Sequence, residues 1–309
     1  MKHRWRKLGQ VYGVPNSGRH PKLLTHASNP LPIHLDRDVF RVFYSGRDHL
    51  NRSSVGAVDI DILTRTIVDD YNEPFFVHGT DGSFFSHGVS IGNVYNVGEQ
   101  RYMLFMGWQV PPNGRWRGDI GRLRIDEKLR LSLDSEVPFM GVDSTDKLSL
   151  SYPWVIQKDD LSYLMWYGST VTWDTGNHEM LHVINQAVSE DGHVWNRIGI
   201  ALPFALGRAQ AFSRPTVVRS RGDGYDMWFS FRPGNGTTYR IGYATSIDGY
   251  HWILCEGYRG IDVSDSGWDS EMIEYPFVFD HQGERFMLYN GDGFGRTGFG
   301  LAILEYGDG

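Results

Sequence analysis

The sequence predicts an all-β fold: a five-bladed β-propeller forming a single domain over residues 1–309. Three observations predict it. An aromatic strand-like segment recurs at a fixed period. Apolar and polar residues alternate throughout, with no competing long stretch of 3.6-residue period. A strand missing from the last repeat is found at the N-terminus.

The period comes from "FRVFYS" (40–45), "YMLFMG" (102–107), "YLMWYG" (163–168), "YDMWFS" (225–230) and "RFMLYNG" (285–291). Their last residues, Ser45, Gly107, Gly168, Ser230 and Gly291, are separated by 62, 61, 62 and 61 positions. Five such units fill the chain, with no linker or low-complexity segment, so they are read as one domain.

Each unit has the same grammar. A first strand, often with Pro near its start, leads to a polar turn such as "SRGDG" (220–224) or "DHQGE" (280–284). The aromatic strand follows, then a third strand such as "YRIGYATS" (239–246) or "TGFGLAIL" (297–304). Two units close with "SEDGHVW" (189–195) and "SIDGYHW" (246–252), in which Asp-Gly between alternating runs marks a hairpin turn. Short strands repeated in this way describe propeller blades. Unit five lacks the closing Trp strand. "NRIG" follows Trp195 and "RKLG" follows Trp5, so residues 4–12 are expected to join the last blade and close the ring.

Composition removes several function classes. The net charge of −7 argues against nucleic acid as a partner, which needs clustered Lys and Arg. The basic opening "MKHRWRKLG" has no apolar run behind it, so no signal peptide is expected. No run of apolar residues is long enough to span a membrane. The lone Cys255 excludes an intrachain disulfide and a Cys-based metal site and fits a reducing, cytoplasmic setting. No HxH or HExxH spacing supports a metal, and no cofactor is expected.

The same period locates candidate site residues. Seventeen positions before each unit end stand Ser28, Ser90, Ser151, Ser213 and Glu274. One position earlier stand Ala27, Val89, Leu150, Phe212 and Ile273. Strand alternation sends this apolar column between blades and the serine column toward the channel. Glu274 breaks the column. A carboxylate in that crowded place costs several kcal/mol unless it is paired, hydrogen-bonded or protonated, and four blades manage with Ser. The next column reads Asn29, Ile91, Tyr152, Arg214 and Tyr275, in which Arg214 serves either as a ligand clamp or as the partner of Glu274. Loops before the first strands add His26, His87, Asp269 and Glu271, and Asp143 and Asp146 precede unit three. In "YNGDGFG", Asn290 and Asp292 stand where other blades are apolar, either as a ligand loop or as room for the final hairpin.

Together, the five units, "RPTVVRSRGDGYDMWFS" (214–230) and "EYPFVFDHQGERFMLYNGDGFGRTGFGLA" (274–302) resemble the five-bladed propeller glycosidases of glycoside hydrolase families 43, 32 and 130. The resemblance implies paired-carboxylate chemistry on a glycoside or sugar conjugate, and it makes a role in surface-polysaccharide synthesis plausible. The family 43 pattern places an acid on each of blades one, two and three. Here the matching positions hold Ser28 and Asn29, Ser90, and Ser151 and Tyr152, so those catalytic residues do not carry over.

The expected arrangement has Glu274 as general acid or base, with Glu271 or a loop aspartate, Asp143 or Asp146, as second carboxylate. Arg214, His26, His87, Asn29, Ser151, Asn290 and Asp269 would hold the sugar or glycan, and Trp108, Trp154 and Trp173 are candidates for a stacking platform. The alternatives are a non-hydrolytic sugar-binding or glycosyl-transferring propeller and, last, a protein-interaction scaffold.

Overall fold

The computed structural model describes residues 3–112, 114–257 and 260–306. Strand β1 (His3–Tyr12) opens the chain. It is followed by β2 (Thr25–Asp36), β3 (Val39–Arg47), β4 (Ser53–Asp61) and β5 (Thr66–Asp70), paired antiparallel in that order. The pattern recurs in β6 (Gly88–Val97), β7 (Gln100–Gln109), β8 (Arg117–Ile125) and β9 (Leu131–Leu133). It recurs again in β10 (Leu150–Gln157), β11 (Tyr163–Thr172), β12 (Leu181–Ser189) and β13 (Asn196–Ile200). A further group is β14 (Ala211–Arg219), β15 (Tyr225–Arg232), β16 (Arg240–Ser246) and β17 (Ile253–Leu254).

The last group is β18 (Glu274–His281), β19 (Glu284–Asn290) and β20 (Phe299–Tyr306), and its outer member is β1, with Trp5 opposite Leu304. Single parallel bridges, Ser53 to Gly88 and His182 to Ala211, merge neighbouring groups into two eight-stranded sheets. The inner strands β2, β6, β10, β14 and β18 touch in succession, and β18 also touches β2. Among the described residues no helix is long and apolar enough to cross a membrane.

Local chemistry explains the elements. In the turn after β12, Asp191 accepts the N–H groups of His193 and Val194, and Gly192 takes the positive φ that the turn requires. Asp248 and Gly249 repeat this after β16. The core lies between groups. Ala27, Val89, Leu150, Phe212 and Ile273 are all fully buried, as the alternation requires.

The alternation fails one step further on. Every inner strand has a register break at or one residue past the serine column: at Ser28/Leu31, Ser151/Trp154, Ser213/Thr216 and Glu274/Phe277 directly after it, and at Ile91/Val94 one residue beyond Ser90. Asn29, Tyr152, Arg214 and Tyr275 take φ of 56°, 34°, 49° and 53° there, and each precedes a proline. Proline has no N–H for the ladder and is tolerated at a bulge. The bulge therefore keeps two successive residues near the axis instead of one. Non-glycine residues in this conformation cost about 1–3 kcal/mol each.

Polar side chains stitch the inner strands together. Asn93 exchanges two hydrogen bonds with the backbone of Val155, at 2.8 and 3.0 Å. Thr216 Oγ1 donates to the Pro276 carbonyl at 2.7 Å.

Candidate functional site

A cavity of about 590 Å³ opens where the first strands begin and the second strands end. Ser28, Ser90, Ser151 and Ser213 all line it, and the bulges bring Asn29, Tyr152 and Tyr275 to the same wall. Trp108 and Trp116 form an aromatic side, with Trp116 backed edge-on by Trp173 at 5.0 Å. Arg47, Arg115, Arg232 and His182 supply the nitrogen-bearing groups.

Glu274, the first residue of β18, is wholly buried, and among the described residues neither carboxyl oxygen has a hydrogen-bond partner. Burial raises its pKa well above the ordinary carboxylate value, and the pull of Arg47 and Arg232 does not offset it. Burial thus favours the protonated, neutral form of the acid. Its electrostatic neighbours Arg47, Arg232, Tyr152, Tyr239 and Tyr275 all line the cavity. The Tyr152 hydroxyl donates to that of Tyr275 at 3.2 Å, and burial raises the pKa of both phenols.

Arg214 does not pair with Glu274. It is buried and donates to the backbone carbonyl of Ile91 on β6 and, at 3.1 Å, to that of Pro30 on β2. Burial pulls its pKa down to about 10, so it stays charged at neutral pH.

The remaining expected residues divide. Asn29 lines the cavity and its side-chain oxygen lacks a partner among the described residues. His26 lies near Arg47, where burial first and then the charges of Arg47 and Arg296 lower its pKa to about 4. His87 sits behind Trp108, 5.8 Å between ring centres, outside the lining. Asn290 spends its amide on structure: it accepts from the Asn29 N–H at 2.8 Å and donates to the Ala27 and Gly298 carbonyls at 2.7 and 2.8 Å.

Asp269 is held by Lys7 at 2.7 Å and Tyr289 at 3.0 Å, against the aromatic strand of the last group. Glu271 is exposed, with its backbone N–H on Asp292 at 2.8 Å. Asp143 binds Arg197 of outer strand β13 at 2.9 Å. Burial tends to raise its pKa, but the N–H groups of Asp146 and Thr145 together with Arg197 lower it. The structure thus brings neither Glu271 nor Asp143 to the cavity lining, and Glu274 itself stands behind that lining, buried next to residues that form it. Trp154 is core, its indole N–H on the Val217 carbonyl at 2.9 Å.

Sequence reasoning missed Arg47, Arg232, Tyr239, Trp116 and His182. The period contained a signal for two of them. Two residues past each unit end stand Arg47, Gln109, Thr170, Arg232 and Gly293, a column with two cations. His182 stands between Ser151 Oγ at 2.7 Å and Thr170 Oγ1 at 2.8 Å, and burial lowers its pKa to about 4.

A histidine kept neutral in the fold supports stability above its unfolded pKa of 6.5, and this support is lost as pH falls toward 4. The expected loss is about 3 kcal/mol. In denaturant titrations at pH 4 and 7, His182→Gln is expected to show a smaller acid loss than the native chain.

Comparisons with known proteins bear on the fold and the family. No family model matches the chain. It is 44% identical over 303 residues to the uncharacterized proteins MT1551 and Rv1502 of Mycobacterium tuberculosis (strains CDC 1551 / Oshkosh and ATCC 25618 / H37Rv), covering 97% of this chain and 99% of theirs. Among solved structures it is similar to the complex of BT0996 with RGII, with TM-score 0.73, 16% identity and coverage of 100% and 93%. A structure from the GH130 family of mannoside phosphorylases, described as containing glycoside hydrolases that target β-1,2-mannosidic linkages in Candida mannan, gives 0.71, 13%, 98% and 94%. Sucrose-6-phosphate hydrolase from Lactobacillus gasseri gives 0.67, 11%, 94% of this chain and 61% of that one. These likenesses show the fold of the glycoside hydrolase propellers.

Proposed function

The chain belongs to one family with the two Mycobacterium tuberculosis proteins, and from that premise we propose that it is a carbohydrate-active enzyme working in the funnel of a five-bladed ring. The ring would span residues 1–309 as one domain, with β1 closing it. The cyclic contacts of the inner strands and the β1–β20 pairing support that count and closure.

One observation carries the functional reading: a wholly buried carboxyl group, its pKa raised by burial, stands directly behind the arginines and tyrosines that line a hydroxyl-rich, aromatic-walled cavity. A neutral acid at physiological pH is what protonation of a glycosidic leaving oxygen requires. Glu274 is assigned as that general acid. The serines, Asn29 and the tyrosines are assigned to sugar hydroxyls, and Trp108 and Trp116 to the ring faces. The glycoside hydrolase and phosphorylase neighbours support the same reading.

Among the described lining residues there is no Asp or Glu, so Glu274, just behind the lining, has no second carboxylate facing it across the cavity. That favours transfer to an incoming acceptor, with the acceptor supplying the nucleophile, over hydrolysis by a carboxylate pair. It also keeps sugar binding without turnover as the second reading. A reducing, cytoplasmic setting is part of the proposal, supported by the single free Cys255.

Calorimetric titration with a panel of mono- and oligosaccharides tests the proposal. Binding that falls about tenfold or more in Trp116→Ala, for the loss of one buried aromatic contact, is the expected result. Failure of every saccharide to bind contradicts it.

A further inference from the structure

We propose that the cavity's ligand carries an anionic substituent, a phosphate or carboxylate on the sugar, seated between Arg47 and Arg232. The inference rests on the carbohydrate reading above and names the class of sugar. Both arginines hold the same place in their repeats, two residues beyond Ser45 and Ser230, at the ends of β3 and β15. Their groups flank the one that carries Glu274, since β18 touches both β14 and β2. The other three repeats hold Gln109, Thr170 and Gly293 there, so the fold itself does not ask for a cation.

The two guanidinium groups are under-used. Among the described residues Arg47 makes no side-chain hydrogen bond or ion pair. Arg232 gives one nitrogen to Glu179 at 3.0 Å and leaves its buried Nε without a partner. A third arginine, Arg115, lies at the rim over Trp173, 5.9 Å from the ring centre. No acid among the described lining residues balances them, although the chain as a whole has a net charge of −7. Glu179 balances Arg232 only from outside the lining, Arg47 has no ion pair among the described residues, and a planar fork with free N–H donors matches a carboxylate or phosphate. A bound anion would also neutralise the two cations that draw Glu274 toward ionisation, so ligand and retained proton reinforce one another.

Calorimetric titration tests this with the neutral, 6-phosphorylated and uronate forms of glucose, mannose and galactose, and with inorganic phosphate alone. The proteins are the native chain, Arg47→Gln, Arg232→Gln, their Lys counterparts and Glu274→Gln, each checked for a native melting transition. The expected result is an anionic form binding roughly ten- to hundredfold tighter than its neutral parent, the range for charge-assisted hydrogen bonds. Either Gln variant at an arginine should erase that margin, the Lys variants should restore part of it, and Glu274→Gln should keep it. Equal binding of neutral and anionic forms would overturn the inference while leaving the carbohydrate reading standing. Inorganic phosphate binding as tightly as the sugar phosphate would overturn it too, because the sugar would then not be read. Failure of every sugar would remove both.

Discussion

Glu274→Gln is expected to lower turnover by about 10²–10⁴-fold, the usual contribution of a general acid, and to leave ligand binding nearly unchanged. The amide keeps the shape and neutrality of the protonated acid and removes only the transferable proton. The same substitution has a stability signature. Glu274 has a folded pKa raised by burial, so its contribution is fully present below the unfolded carboxyl value and is lost as pH rises through the folded one. The native chain should therefore lose up to about 1.4 kcal/mol per pH unit in that window relative to the Gln variant. Denaturant titration at pH 4, 6 and 8, set beside turnover at the same pH values, checks both parts. A Gln variant with full activity contradicts the assignment. A native-to-variant stability difference independent of pH contradicts the neutral acid.

The second large effect is structural. Arg214→Met is expected to destabilise the fold by about 3–5 kcal/mol, because the Ile91 and Pro30 carbonyls lose their buried donor. With about 2.1 cal/mol/K of unfolding entropy per residue over 309 residues, the melting temperature should fall by about 5–8 °C. Arg214→Lys should recover little of this, since one ammonium lacks the fork that reaches two carbonyls on different strands. Circular-dichroism melting decides. Retained stability with lost sugar affinity would return Arg214 to the ligand-binding role its sequence position suggested.

Much of the architecture was legible because the repeat period is long and strict. It placed Glu274 in a column with four serines, and all four serines line the cavity. The reading faltered where strict two-residue alternation was assumed. Pro30, Pro153, Pro215 and Pro276 stand at the same step after the column, and a proline inside a strand signals a bulge. With the bulge, Asn29, Tyr152 and Tyr275 join the wall, while Arg214 reaches the carbonyls of two neighbouring inner strands.

Asp143, Asp269 and Glu271 belong to loops, whose course no period dictates. There each finds a partner of its own, Arg197, Lys7 and, through the backbone, Asp292. Trp116 and Tyr239 also lie outside the repeat columns, so only folding shows that they face the site. Arg47 and Arg232 were within reach of the same counting, two residues past the unit ends.

The central claim concerns one proton. Isotope-edited infrared difference spectroscopy at pH 7, comparing the native chain with Glu274→Gln, reads it directly. A protonated-carboxyl carbonyl band that vanishes in the variant is the predicted result. A carboxylate band at that pH in place of it would mean that Glu274 is ionised and would contradict the account.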